Sequence, residues 1–337
     1  MDMVIKATKF NAPAIFLKRE MSQIRKQFYT AGDIIINPDE GNYLNRSDQK
    51  IMRQDVMGSI LIINEMLREN PPNELENIPL YVSNGAFVEN TEKHLNRIVN
   101  VYKSFEEGTS QEEKTRSIFR ASPPLVALET LTNSTMSFIA QYTGIKGNNA
   151  TFGNTSMSSI HALQEASIAL QTAPLVIVNS SNCGGDYSYL TNSSVLGYEE
   201  KWKDSTGVAC LLLGSQQNDD RTSLARITLV KNSFNIPNLE SKGIERAWSE
   251  LIPNTDANAI ICSGAYSEKE NQLDIDYCKK HNSNVYSHFS IYGNLGPSNV
   301  FFGIIKALEF IKKGSNIIDV IDRDVFGRES IIRVEKC

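Results

Sequence analysis

The chain has 337 residues, 41% of them hydrophobic and 22% charged, with a net charge of −5. That length accommodates two ordinary domains or one large duplicated α/β unit, and the composition is that of a soluble globular protein. The acidic balance and the absence of a basic tract exclude an electrostatic footprint for nucleic acid or a membrane surface, so neither is expected as a partner.

The opening MDMVIKATKFNAPAIF lacks the basic, apolar and small-residue segments of a signal peptide, and a cytoplasmic location is expected. The first expected element is a helix over Ser47–Arg68, followed by a strand at Ile78–Ser83 and a helix over Pro124–Thr143. A strand-like TFG leads through Asn154 and Thr155 into a helix over Ser156–Gln171, and strands follow at Pro174–Asn179 and Val208–Leu213. The polar stretch Gly214–Ser223 is the best internal boundary, dividing the chain into halves 1–219 and 220–337. The second half contains expected strands at Ala225–Val230, Asn258–Cys262, Asn284–Ser287 and Ser330–Glu335. Its expected helices are Gly243–Leu251, Glu268–His281 and Pro297–Lys313. The helices starting at Ser156 and Pro297 are apolar around most of their circumference, so both should be buried. Strand–helix alternation of this kind indicates an α/β fold, with one buried helix in each half.

Five cysteines, at 183, 210, 262, 278 and 337, form no CxxC pair, and an odd, widely spaced set points to reduced thiols. The histidines at 94, 161, 281 and 288 have no zinc-type spacing, so no metal site is expected. The apolar run Val300–Ile311 is interrupted by Lys306 and Glu309 and is too short to span a bilayer.

Five segments, in order, resemble the β-ketoacyl synthases. LNRSDQKIMRQDVMGSILIINEML is similar to their early R-x-D-K-x-x-R-x-D helix, and SPPLVALETLTNSTMSFIAQYTGIKG to their P-x-x-x-x-x-x-x-N helix and following turn. NNATFGNTSMSSIHALQEASIAL resembles the nucleophile region T-A-C-[AS]-S-S with its buried alanine-rich helix. NLGPSNVFFGIIKALEFIKKG resembles N-x-G-H-x-x-x-A-x-G, and VFGRESIIRVEK the closing G-F-G-G strand. The resemblance covers nearly the whole chain after residue 40. It implies a thiolase-like fold, with two related α/β halves in an α-β-α-β-α layered arrangement.

The same resemblance places the family's catalytic cysteine on Ser156 and its two hydrogen-bonding histidines on Ser263 and Pro297. A serine hydroxyl without a base stays protonated where a cysteine would attack as thiolate. Proline offers neither a side-chain donor nor a backbone N–H. The stretch GYEEKWKDSTGVACLLLG also reaches Gly207 without the family's F-D-x-x-R-D-G-F loop. Loss of all these features resembles the chain length factors, which pair with an active ketosynthase in type II polyketide synthases. What the resemblance implies is a non-catalytic subunit in a heterodimer with a ketosynthase, shaping the tunnel of an aromatic or polyene chain. It also implies an acyl carrier protein as partner, with that carrier's phosphopantetheine the only cofactor and none bound directly. The family's tunnel-gating residues fall on Phe87, Asn90 and His94, and its dimer contact on the strand Pro174–Asn179 and its neighbours.

Plainer readings stand beside these. Ser156 would serve as a helix N-cap, and His161, about 140° around the helix from it, cannot act as its base. Phe87, Asn90 and His94 have the spacing of any core-facing helix. Two further functions remain open: a malonyl decarboxylase or acyltransferase using Ser156, and a stand-alone scaffold that binds acyl carriers.

Overall fold

The computed structural model describes residues 3–11, 28–30, 44–49, 51–85, 99–121, 131, 133–183, 202–215, 223–234, 248–249, 251, 256–265, 267–324 and 327–337. Twelve strands are formed among them: β1 (Met3–Asn11), β2 (Phe28–Thr30), β3 (Leu80–Gly85), β4 (Asn149–Asn154), β5 (Leu175–Asn182), β6 (Trp202–Asp204), β7 (Gly207–Ser215), β8 (Ala225–Phe234), β9 (Ala259–Cys262), β10 (Val285–Ser287), β11 (Ile317–Arg323) and β12 (Arg328–Glu335). The helices are α1 (Arg46–Gln49), α2 (Gln54–Glu69), α3 (Gln111–Ala121), α4 (Ser134–Thr143), α5 (Met157–Ala169), α6 (Glu268–His281), α7 (Phe289–Tyr292) and α8 (Ser298–Lys312).

Ten strands form one sheet in the order β10-β9-β11-β12-β8-β1-β7-β5-β3-β4, while β2 and β6 pair separately. The order contains a repeat. From the outer edge inward, β4-β3-β5-β7-β1 and β10-β9-β11-β12-β8 correspond strand for strand in sequence rank. Both sets are parallel through their first three strands and antiparallel through the last two steps. The sets join where Met3–Ile5 pairs antiparallel with Ala225–Ile227.

Three apolar clusters separate the layers. The largest contains Val178 and Leu211 from the first set, Ile261 and Val320 from the second, and Ile160 and Ile304 from α5 and α8. A second lies between the first set and α2 and α4, and a third between the second set and α6 with Trp248. Strand alternation explains the layering: in β7, Ala209, Leu211 and Leu213 face the central cluster, and Val208, Cys210 and Leu212 the outer one. The arrangement is therefore α-β-α-β-α, with α5 and α8 in the middle layer.

Several expectations need correction. The helix expected over Ser47–Arg68 is two helices interrupted near Met52–Arg53. There the Arg53 guanidinium folds back onto Asp55 with two 2.9 Å bonds. β1, β11 and the short β2 and β6 are strands where none was assigned, and the strand-like Thr151–Gly153 is part of β4, Asn149–Asn154. β5 lies inside the sheet, bonded to β3 and β7 on its two sides, so the stretch Pro174–Asn179 has no open edge for a partner. The exposed edge on that side is β4, which pairs only with β3 among the described strands. Phe87, Asn90 and His94, and most of the Gly243–Leu251 helix, lie outside the described residues. No helix among the described residues is long and apolar enough to cross a membrane.

Candidate functional site

β4, β9 and β11 end at one place, and α5 and α8 begin there. Alternation sets the directions of the side chains. Ala259 and Ile261 of β9 and Ile318 and Val320 of β11 face the central layer, so Ser263 and Asp322, two positions further on, point inward as well. β4 delivers Thr155 and Ser156 to the start of α5 from the other set.

Ser156, Ser263 and Asp322 meet at this point. Ser263 Oγ lies 2.9 Å from Ile321 O and 3.3 Å from Asp322 Oδ1. Ser156 is 3% exposed, and its hydroxyl faces the Asp322 carboxyl without making a hydrogen bond of proper geometry. Asp322 Oδ2 is likewise buried without a partner. Burial pushes the Asp322 carboxyl up to about 7. The nearby hydroxyls of Ser156 and Ser263 oppose that rise, while the charges of Asp324 and Asp274 reinforce it. Ser156 takes the N-cap position but caps nothing: its φ and ψ are helical and its side chain accepts no backbone N–H, so the capping role is not realised.

A second acid two residues away is fully bonded. Asp324 accepts from Thr155 Oγ1 at 2.7 Å, from Arg328 Nε at 2.6 Å and from the Arg328 backbone N–H at 2.9 Å. The Arg328 guanidinium also donates to Thr155 Oγ1. This unit ties β11, β12 and the start of α5 together. On the other face of β11, Arg323 pairs with Asp274, which also accepts from the Trp248 indole.

Pro297 joins the site through its carbonyl, which accepts from Ser159 Oγ at 2.6 Å, and Ser159 in turn bonds Ser83. The preceding turn is held tightly. Asn294 Oδ1 accepts from the Gly296 N–H and from Asn299, and Asn299 Oδ1 accepts from the Leu295 N–H. Gly296 has φ +53° and lies against Asn182, so any side chain there would be strained and would collide with that amide. The retained Asn-Leu-Gly is thus explained by backbone shape. His288, fully buried beside Asn299 and Phe302, is pushed down to about 4 by burial. It stays neutral at physiological pH.

His161 is exposed and stacks near Phe152 of β4, well away from any role as a base for Ser156. The five cysteines form no disulfide, and burial pushes the Cys210 thiol up, so it is not a nucleophile. No group of His, Cys, Asp and Glu among the described residues is placed to hold a metal. Asp322, Asp324 and Arg328 were not anticipated. The available signal was I-D-V-I-D-R-D, acids set into an apolar stretch where buried charge demands a reason.

Comparison with solved structures gives matches across the full chain. The ishigamide ketosynthase/chain length factor superposes with a TM-score of 0.71 at 12% identity, covering 100% of this chain and 99% of that one. The AntDE:AntF complex, a type II polyketide synthase acyl-carrier protein with its ketosynthase, gives 0.69 at 15% identity, covering 100% and 99%. Ketosynthase twelve of the bacillaene polyketide synthase of Bacillus amyloliquefaciens gives 0.64 at 11% identity, covering 100% and 73%. No family model matches the sequence, and no curated protein does. The chain has the thiolase-like fold of the ketosynthases.

Proposed function

We propose that this chain is a non-catalytic chain-length-factor-type subunit of a type II polyketide synthase. It pairs with a ketosynthase and shapes the tunnel that receives the growing chain, which an acyl carrier protein delivers on its phosphopantetheine arm. One pattern supports the reading: in a chain with the ketosynthase fold, the motif resemblance sets the nucleophile on Ser156 and the two hydrogen-bond donors on Ser263 and Pro297. Condensation needs a thiolate and donors for the developing oxyanion, and these residues supply neither.

The edge of the sheet among the described strands supports a docking place for the partner. β4 presents a six-residue open edge, Asn149–Asn154, that carries no Lys or Pro to block pairing. Alongside it, α5 exposes His161 and, two turns on along the same face, Ile168 at 55%. An edge backbone flanked by an apolar side chain suits addition of a partner strand. The tunnel gate is assigned to Phe87, Asn90 and His94 on the resemblance alone.

Co-expression with a co-encoded ketosynthase that retains its cysteine and both histidines tests the reading. The expected result is a stable one-to-one complex. A homodimer with no affinity for that ketosynthase would refute it. A stand-alone carrier-binding scaffold would instead remain monomeric and bind the carrier without the ketosynthase.

A further inference from the structure

Two enclosed polar atoms, Ser156 Oγ at the start of α5 and Asp322 Oδ2 at the end of β11, lack a hydrogen bond of proper geometry, and the Ser156 hydroxyl lies against the Asp322 carboxyl. Each such atom costs about 1–3 kcal/mol in lost hydration, and folded proteins keep them mainly where a reactive group or a guest accounts for them. The neighbouring Thr155–Asp324–Arg328 unit on the same elements is, by contrast, hydrogen-bonded.

We propose that Ser156 and Asp322 form a nucleophile–base pair through which Ser156 accepts an acyl group from a thioester. Ser156 Oγ attacks the thioester carbonyl carbon while its proton passes to the Asp322 carboxylate. The carbon–sulfur bond then breaks, and the proton moves from Asp322 to the departing sulfur, leaving a Ser156 ester and a free thiol. Nothing is oxidised or reduced. The start of α5 contributes the positive end of a thirteen-residue helix where the carbonyl oxygen becomes negative.

Geometry chooses Ser156 over Ser263. The single Ser263 proton is engaged between Ile321 O and Asp322 Oδ1, whereas the Ser156 hydroxyl has no competing acceptor. Nucleophile–base contacts are commonly loose before substrate binds and tighten with it. The groups facing Asp322 are Ser156 from α5, Ser263 after β9 and Asp324 on its own strand end, while Asp274 of α6 acts through its charge from the other face of β11, where Arg323 pairs with it. The two acids raise its basicity, so Asp322 takes up and releases a proton near neutrality, as a general base must. The choice of a thioester rests on the function proposed above; the pair itself does not.

The test uses the purified chain alone, incubated with S-acetyl-N-acetylcysteamine or with p-nitrophenyl acetate, small donors suited to an enclosed serine. Intact-mass analysis should show one acetyl group per chain, mapped to Ser156. Its rate of appearance should rise about tenfold per pH unit below 7 and level off above, following the ionised fraction of one base. Ser156→Ala should remove the label, and Asp322→Asn should slow labelling by about 100-fold or more and flatten the pH profile. No adduct, a label elsewhere, or an Asp322→Asn rate equal to wild type overturns the proposal. So does labelling of Ser156→Cys when the wild type stays unlabelled, since the hydroxyl would then lack activation. Labelling by the oxygen ester alone overturns the thioester assignment. Pairing with a ketosynthase is read separately, on the unlabelled wild-type chain, so the two failures are distinguishable.

Discussion

Replacing Asp322 by asparagine keeps the shape of the side chain and deletes its charge. In the folded chain the carboxyl titrates at about 7, against 3.8 when free, because burial resists ionisation. The folded state therefore holds this proton over a pH range in which the unfolded state has lost it. Stability must fall as pH rises through that window, from about 4 to about 7, and then level off. The full difference is about 4 kcal/mol, of which about 2–3 kcal/mol lies between pH 5 and pH 8. Urea denaturation of wild type and Asp322→Asn at both pH values measures it, because every other titrating group cancels in the comparison. The variant should gain on the wild type by that amount at pH 8. A constant gap across the range would mean that Asp322 ionises normally. Both the enclosed acid and the base assigned to it would then be refuted.

Other perturbations test separate parts of the account. Arg53→Met leaves the buried Asp55 carboxylate, which the guanidinium holds below its usual range against the opposing effect of burial, without its partner. Unfolding free energy should drop by about 3–5 kcal/mol, measured by urea titration at pH 7. For the wild type, this pair's stabilisation should be present above pH 4 and decline as the medium is acidified through the lowered Asp55 value. Gly264→Ala pushes a methyl group into Asp322 Oδ1 and the Arg323 backbone, and calorimetry should show a loss of about 1–3 kcal/mol. Ile168→Glu, on the exposed face of α5, should leave the isolated chain's stability within about 0.5 kcal/mol and abolish co-purification with the ketosynthase. Smaller residues at Phe87 and His94 should lengthen the polyketide made by the complex, as read by product mass.

Much of the architecture was legible because two-sided burial leaves a strong mark. The first half of β5 and most of β7 are runs of β-branched and aliphatic residues, and α6 has the bounds expected for it, Glu268–His281, with Ser267 capping Glu270 N at its start and Lys279, Lys280 and His281 in its last turn. β11 escaped because Asp319, Asp322 and Arg323 interrupt its apolar pattern, although each points at a partner that only the folded chain supplies. The same blindness hid the site. Ser156 and Ser263 were found through motif resemblance, whereas Asp322 belongs to no motif quoted for that resemblance and acquires its character from burial. The misassigned dimer strand is a different case. β5 opens on the apolar run Leu175–Val178 that two-sided burial demands, whereas β4, Asn-Ala-Thr-Phe-Gly-Asn, has the polar character of an edge, and the strand order places it there.

The duplication in the sheet bears on how such a scaffold tolerates exchange of the residues where its two halves meet. Each set of five strands delivers its ends to the same point, and the two buried helices start there. Residues contributed by β4, β9 and β11 consequently meet whatever their identity. A change from cysteine to serine or from imidazole to hydroxyl leaves the backbone convergence intact, because that convergence is maintained by Gly296, Asn294, Ser159 and the central apolar cluster. An enclosed acid with no cationic side chain turned toward it is left to burial and to other acids. Asp322 is in that position, with Asp324 and Asp274 as its charged neighbours and their own cations turned toward them. The acetylation rate as a function of pH decides whether Asp322 activates Ser156 or stays protonated beside it.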